Sequence, residues 1–168
     1  MSAAALTEQL GVPGPWHERM PHFRMDQMPS SGAEIQTEYL IPRDRAAEAL
    51  LAVDAIRDRF SAPLQISEVR TIAADELWMS TAYGRASVAF HFTWLPDWEA
   101  VRSALPSLEA ALAPFDPRPH WGKVFTIPPE AIRSSYEKLP QFAGLLERHD
   151  PAGKFRNAFL NRYIFGVN

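Results

Sequence analysis

Cysteine is absent from all 168 residues, which excludes disulfides, thiolate metal sites and cysteine nucleophiles. Excess charge of either sign is also lacking. Lys and Arg total 17 against 20 Asp and Glu, and a net charge of −3 offers no broad basic field for a phosphate backbone. Nucleic acid is therefore not an expected partner, although a locally basic pocket is compatible with this balance. No long apolar run occurs, and the N-terminus has no basic segment followed by one, so the chain is expected to have no membrane partner and to be cytoplasmic. Gly11-Val12-Pro13-Gly14 lacks the GK[ST] or strand-to-helix GxGxxG setting of a phosphate loop, so nucleotide binding by this chain alone is not expected. His17, His22, His120 and His149 show no spacing that zinc would need, and no metal site is expected.

What is present suits one compact domain or slightly more, with 46% hydrophobic and 22% charged residues. Residues 1–33 hold Gly11, Pro13, Gly14, Pro15, Pro21, Pro29 and Ser30-Ser31-Gly32, a composition that interrupts secondary structure and reads as a docked linker. Trp16, Met20, His22, Phe23, Met25 and Met28 are too apolar for a free tail. They cover either this chain's own core or an interface with a partner domain.

Residues 34–127 show regular periodicity. Ile35, Thr37, Tyr39 and Ile41 alternate with Glu34, Gln36 and Glu38, the pattern of a half-buried strand. Pro42-Arg43-Asp44 opens a helix whose Ala46, Ala49, Leu50, Val53, Ile56 and Phe60 recur at threes and fours. Residues 64–72 and 87–94 read as two strands of a hairpin with an elaborated loop. A second helix follows Pro96-Asp97-Trp98, with Val101, Leu105, Leu108, Ala111 and Leu112 as its stripe, and residues 120–126 read as a last strand. The predicted fold is therefore α+β: a ferredoxin-like antiparallel sheet with helices on one face. Residues 128–168 form a helical C-terminal tail, with helices near 129–139 and 142–149 and a turn at Asp150-Pro151-Ala152-Gly153.

Alternation also sorts the chemistry. Glu68 and Arg70 leave strand two on one side, and on strand three His91 and Thr93 point away from the aromatic face formed by Val88, Phe90, Phe92 and Trp94. The helices need that aromatic face, so Glu68, Arg70, His91 and Thr93 are expected together on the opposite, helix-free one. They are either a solvated ion pair, contributing under about 1 kcal/mol, or a ligand or domain site. Lys123, between Trp121 and Phe125, is either a snorkelling surface residue or a lysine aimed into a partly apolar pocket.

The run from Ser67 to Asp75, then His91-Phe92-Thr93-Trp94, then Arg118-Pro119-His120-Trp121-Gly122-Lys123, resembles the alditol (xylitol) oxidases of the vanillyl-alcohol-oxidase type of flavoproteins. The end from Asp150 to Asn157 is similar to that family's C-terminus, and the resemblance covers nearly the whole chain. The shorter His-Trp-Gly-Lys element also recurs in the related aldonolactone oxidases. The resemblance implies an N-terminal FAD-binding domain, often with a histidine link to the flavin, and a C-terminal cap carrying the substrate pocket. This chain corresponds to the cap: residues 1–33 would be the linker from a missing FAD-binding domain and residues 34–127 the substrate domain. FAD is then expected in the full-length enzyme and none on this chain alone. The expected partners are the missing domain, a small polyol and, through the face left uncovered, a second copy in a homodimer.

By position, Glu68, Arg70, Thr93 and Lys123 match the family's substrate-binding residues, His91 its pocket strand, and His120 a residue close to the cofactor. The implied reaction oxidises a terminal CH–OH to an aldehyde while O2 is reduced to H2O2. His91 is the first choice for general base and Lys123 the second, with Arg70 stabilising developing negative charge. Two alternatives stand: an arabinono- or gulonolactone oxidase relative, or a non-catalytic ferredoxin-like binding module.

Overall fold

The computed structural model describes residues 8, 12–19 and 33–167. Two compact units result, residues 1–34 and 35–168. In the first, a single helical turn, α1 (Trp16–Arg19), is tied to the preceding chain by Arg19, whose Nε donates to the Val12 carbonyl at 2.9 Å. Met20, His22, Phe23, Met25, Met28 and the Trp16 side chain lie outside the described residues.

The second unit runs β1 (Ile35–Pro42), α2 (Ala46–Asp54), β2 (Leu64–Ile72), β3 (Ser87–Trp94), α3 (Trp98–Leu112) and β4 (Arg118–Pro119). Its tail holds α4 (Pro129–Ser135), α5 (Leu139–His149) and α6 (Ala158–Leu160), the last running into a wider turn at Asn161–Phe165. The sheet order is β2-β3-β1-β4 with every pair antiparallel, the ferredoxin-like arrangement of an α+β fold.

Burial explains that order. Tyr39, Ile41, Phe90, Phe92 and Trp94 share one sheet face and pack against Val53 of α2 and Val101, Leu105, Leu108 and Leu112 of α3. Phe60 stands edge-on to Phe92 at 5.9 Å and to Trp94 at 6.2 Å, a favourable aromatic arrangement. The indole Nε1 of Trp94 donates to Thr37 Oγ1 at 3.1 Å, which is why a hydroxyl is tolerated on the buried face of β1. At the start of α3, Asp97 accepts from the Ala100 amide at 3.0 Å as N-cap. Pro106 inside α3 is exposed, on the side away from the core.

The elements depart from the sequence pattern in two places. The first helix stops at Asp54, and a tighter turn over Arg57–Arg59 brings Phe60 onto the aromatic face that a continued helix would carry it past. The last strand is Arg118–Pro119, not residues 120–126. The His120 amide donates to the Glu38 carbonyl at 2.9 Å and the Val124 amide to that of Gln36 at 3.0 Å. Two residues of β1 are thus matched by four of the partner segment, and the excess is taken up in a turn closed by the Lys123 amide on the His120 carbonyl at 3.1 Å. Gly122 lies in that turn and donates its amide to His120 Nδ1 at 3.0 Å.

Glu109, buried on α3, holds the segment beyond the turn. Its carboxylate accepts from Tyr39 Oη at 2.9 Å, from the Thr126 amide at 2.7 Å and from the Thr126 hydroxyl. Trp121 and Phe125 join the tail residues Ile132, Tyr136, Leu139 and Tyr163 in a second cluster. Truncating the central core is the direct test of this packing: Leu105→Ala should cost about 2–5 kcal/mol of unfolding free energy. A urea midpoint matching the parent's would contradict the assignment of α3 to the aromatic face.

Candidate functional site

Strand alternation leaves Gln36, Glu38 and Leu40 of β1, Ala89, His91 and Thr93 of β3, and Glu68, Arg70 and Ile72 of β2 on the face opposite the helices. One end of that face is apolar and covered, since Leu40, Ala89 and Ile72 pack with Ala82 of the β2–β3 loop. The other end holds the charges. Glu38, His91 and Glu68 are direct cross-strand neighbours, so an imidazole lies between two carboxylates in one row.

Arg70 reaches along that row. Its Nη1 donates to Glu38 Oε1 at 3.1 Å, while Nη2 contacts Glu68 Oε2 and lies 2.9 Å from His91 Nδ1. His91 Nδ1 thus faces a donor, Arg70 Nη2, and an acceptor, Glu68 Oε2 at 3.0 Å, and its tautomer decides which of the two it bonds, while Nε2 lies 3.5 Å from Thr93 Oγ1. Lys123 completes the group from the turn beyond β4, with Nζ 2.5 Å from Glu38 Oε2.

The structure thus brings Glu68, Arg70, His91, Thr93 and Lys123 into one connected set. His120 is joined to that set through the backbone of its turn, and its ring accepts from the Gly122 amide. The residue that sequence reading missed is Glu38, whose side chain is 8% exposed and which, among the described residues, alone binds both cations. Its position on the polar side of strand one was the available signal. Arg70 and Glu68 are 44% and 46% exposed, so the row is roofed by groups that a ligand can reach. A groove of roughly 490 Å³ between α3 and α4 is lined mainly by apolar residues such as Ala110, Ile127 and Ala131 and lies away from this chemistry. Among the described residues no cluster of His, Asp or Glu is arranged to hold a metal, and no helix is long and apolar enough to cross a membrane.

Residues 25–163 match the sequence signature of the D-arabinono-1,4-lactone oxidase family. This chain belongs to that family. It is 55% identical over 166 residues to the alditol oxidase of a Streptomyces species, a match covering 99% of this chain and 40% of the relative. It is 33% identical to L-gulono-1,4-lactone dehydrogenase of Mycobacterium tuberculosis over 77% of the chain and 30% of that protein. Mouse L-gulonolactone oxidase is 25% identical over 76% of the chain and 30% of its own length. The chain therefore spans less than half the length of these relatives.

The charge row of this lactone-oxidase family member has a defined electrostatic state. Burial pushes the Glu38 carboxyl up, but the hydrogen bond and charge of Lys123, aided by His91 and Arg70, outweigh it and hold the group below its usual value. Burial, then the charges of Lys123 and Arg70, hold the His91 imidazole below its usual 6.5, against the opposing pull of Glu38 and Glu68. Loss of hydration and the Lys123 charge shift His120 the same way.

Both Glu38 and His91 have folded-state pKa values below their unfolded ones, so each contributes stability that is complete above the unfolded value and lost as pH falls through the folded one. Urea midpoints should therefore decline on acidification, first below pH 6.5 through His91 and then below 4.5 through Glu38. Glu38→Gln should flatten the second decline. An unaltered acid profile in that variant would contradict the bridging role of the carboxylate.

Proposed function

We propose that this chain is the substrate-binding, C-terminal portion of an FAD-dependent alditol oxidase that converts the terminal CH–OH of a polyol to an aldehyde, with O2 reduced to H2O2. The observation that carries the reading is the connected set Glu68, Arg70, His91, Thr93 and Lys123 on one sheet face, in a chain similar over nearly its whole length to an alditol oxidase. Glu38 links Lys123 to that set.

The donor set suits the reacting ring of a flavin, because Arg70 and Lys123 bring cationic N–H groups to a partly open face where negative charge on a reduced ring can be neutralised. The described helices from α2 to α5 are preceded by Arg45, Asp97, Pro128 and Lys138 with no glycine-rich phosphate turn, so the rest of the dinucleotide needs the remainder of the protein. When bound, FAD supplies the hydride acceptor. The chain's own residues then have separable tasks. Arg70 and Lys123 direct N–H donors at the reacting hydroxyl oxygen and favour its alkoxide form. Glu68 accepts hydrogen bonds from neighbouring hydroxyls, and Thr93 donates or accepts one more. His91 takes the hydroxyl proton as general base while hydride leaves the carbon, in the tautomer whose Nδ1–H donates to Glu68 Oε2 and whose Nε2 is free to accept. His120 is kept as the cofactor-side residue.

A lactone substrate is the second reading, favoured by the gulonolactone enzymes among the relatives. Turnover of xylitol against gulono- and galactonolactone separates the two.

In the FAD-loaded full-length enzyme, Arg70→Ala or Lys123→Ala should lower kcat by about 100- to 1,000-fold, the range for removing one donor to a developing oxyanion. Thr93→Ala should mainly raise KM. Parental turnover in both of the first two variants would sink the assignment. The isolated chain, mixed with FAD and desalted, should be colourless and elute as a homodimer through the uncovered face. Retained yellow colour that bleaches with xylitol would mean that it works as an oxidase by itself.

A further inference from the structure

We infer that Glu38 is a positioning residue that fixes Lys123 and Arg70 as one two-cation clamp on the reacting hydroxyl, an inference that rests on the alditol-oxidase reading above. Glu38 gives one carboxylate oxygen to each cation: Oε1 to Arg70 Nη1 at 3.1 Å and Oε2 to Lys123 Nζ at 2.5 Å. The two cations come from different parts of the chain, Arg70 from the edge strand β2 and Lys123 from the turn beyond β4. In the sheet order β2-β3-β1-β4, β1 lies between those sources, and a carboxylate on β1 can span the gap to both. A strand residue aimed at the polar face, one glutamate long, meets that requirement at position 38.

The backbone around Glu38 is arranged for the same purpose. Its carbonyl accepts the His120 amide at 2.9 Å, which anchors the start of the turn that presents Lys123. Glu38 therefore holds Lys123 at both ends, main chain at the root of the turn and carboxylate at the ammonium. Its side chain is 8% exposed and that of Lys123 16%, so this pair is shielded, in contrast to the solvated Arg57–Asp54 pair at the end of α2 with both side chains at least 60% exposed. Shielding makes the partnership matter: removing one member of a buried pair leaves the other without compensation. Charge balance points the same way. Glu38 and Glu68 offset Arg70 and Lys123, and without Glu38 the row carries an uncompensated positive charge that repels Lys123 from Arg70.

The test uses two independent readouts. On the full chain, the His91 ring is titrated by NMR. It is faced by Glu38 from β1, Glu68 and Arg70 from β2, Thr93 on its own strand and Lys123 from the turn, and Glu38 is among the groups that raise its pKa. Glu38→Gln should move the His91 titration to lower pH. On the FAD-loaded full-length enzyme, the same substitution should lower kcat on xylitol by about 100-fold, the order that a small misplacement of a reacting group costs, with KM changed only a few-fold. Glu38→Asp, which keeps the charge but shortens the reach, should leave the His91 titration near the parent's and give an intermediate kcat. Parental His91 titration and parental kcat in Glu38→Gln would overturn the inference while leaving the function intact, provided Arg70→Ala and Lys123→Ala still abolish turnover. If those two variants are active as well, the functional reading itself fails. Should Glu38→Gln not fold, Glu38→Asp decides: parental kcat in it overturns the positioning role, and a reduced kcat with a preserved His91 titration supports it.

Discussion

Two helices packed on one side of a four-stranded sheet claim its aromatic face, and the polar row of this protein follows from what is left on the other. Once Tyr39, Ile41, Phe90, Phe92 and Trp94 are committed to α2 and α3, the period of two fixes Glu38, His91 and Glu68 on the opposite side. Antiparallel register then places them abreast. A one-residue slip of β1 or β3 would send its aromatic side chains off the core face and its charged or polar ones into the core, so the same packing that stabilises the fold keeps the row in line.

That row is not an ordinary surface ion pair. Arg45–Glu48 and Arg102–Glu99 lie on exposed helix faces, where such pairs contribute under about 1 kcal/mol. Glu38, Lys123 and His91 are shielded, and the Glu38 carboxylate is the charge that offsets lost hydration at both of the others. The partial openness of Glu68 and Arg70 above them leaves the network reachable from solvent. Glu109 contributes from the far side of the sheet: by holding Tyr39 and Thr126 together it fixes the chain on both flanks of the Lys123 turn.

Much of this was legible in the sequence, and what was not has identifiable causes. Strands one to three and both packed helices follow from periodicity, and alternation alone assigned Glu68, Arg70, His91 and Thr93 to a common face. Glu38 was visible as a polar position on strand one, but alternation within a strand gives the face and not the neighbour across the ladder. The last strand was placed too far along the chain because residues 120–126 have strand-like composition, whereas the paired residues are Arg118 and Pro119 and the turn at His120 and Gly122 breaks the ladder after them. Lys123 looked like a lysine among aromatics. In fact Trp121 and Phe125 serve the tail cluster and Lys123 turns to Glu38. Glu109 escaped notice since a charged residue beside a helical stripe is normally solvated, and its partners lie 70 and 17 residues away in sequence.

The proposed site for the polyol is the helix-free face and not the apolar groove between α3 and α4. The most direct measurement is a crystal structure of the full-length, FAD-loaded enzyme with xylitol bound. The expected result is a terminal hydroxyl within hydrogen-bond reach of Arg70 and Lys123, with the next hydroxyls on Glu68 and Thr93. Xylitol seated among Ala110, Ile127 and Ala131, with the charge row unchanged and unliganded, would contradict it.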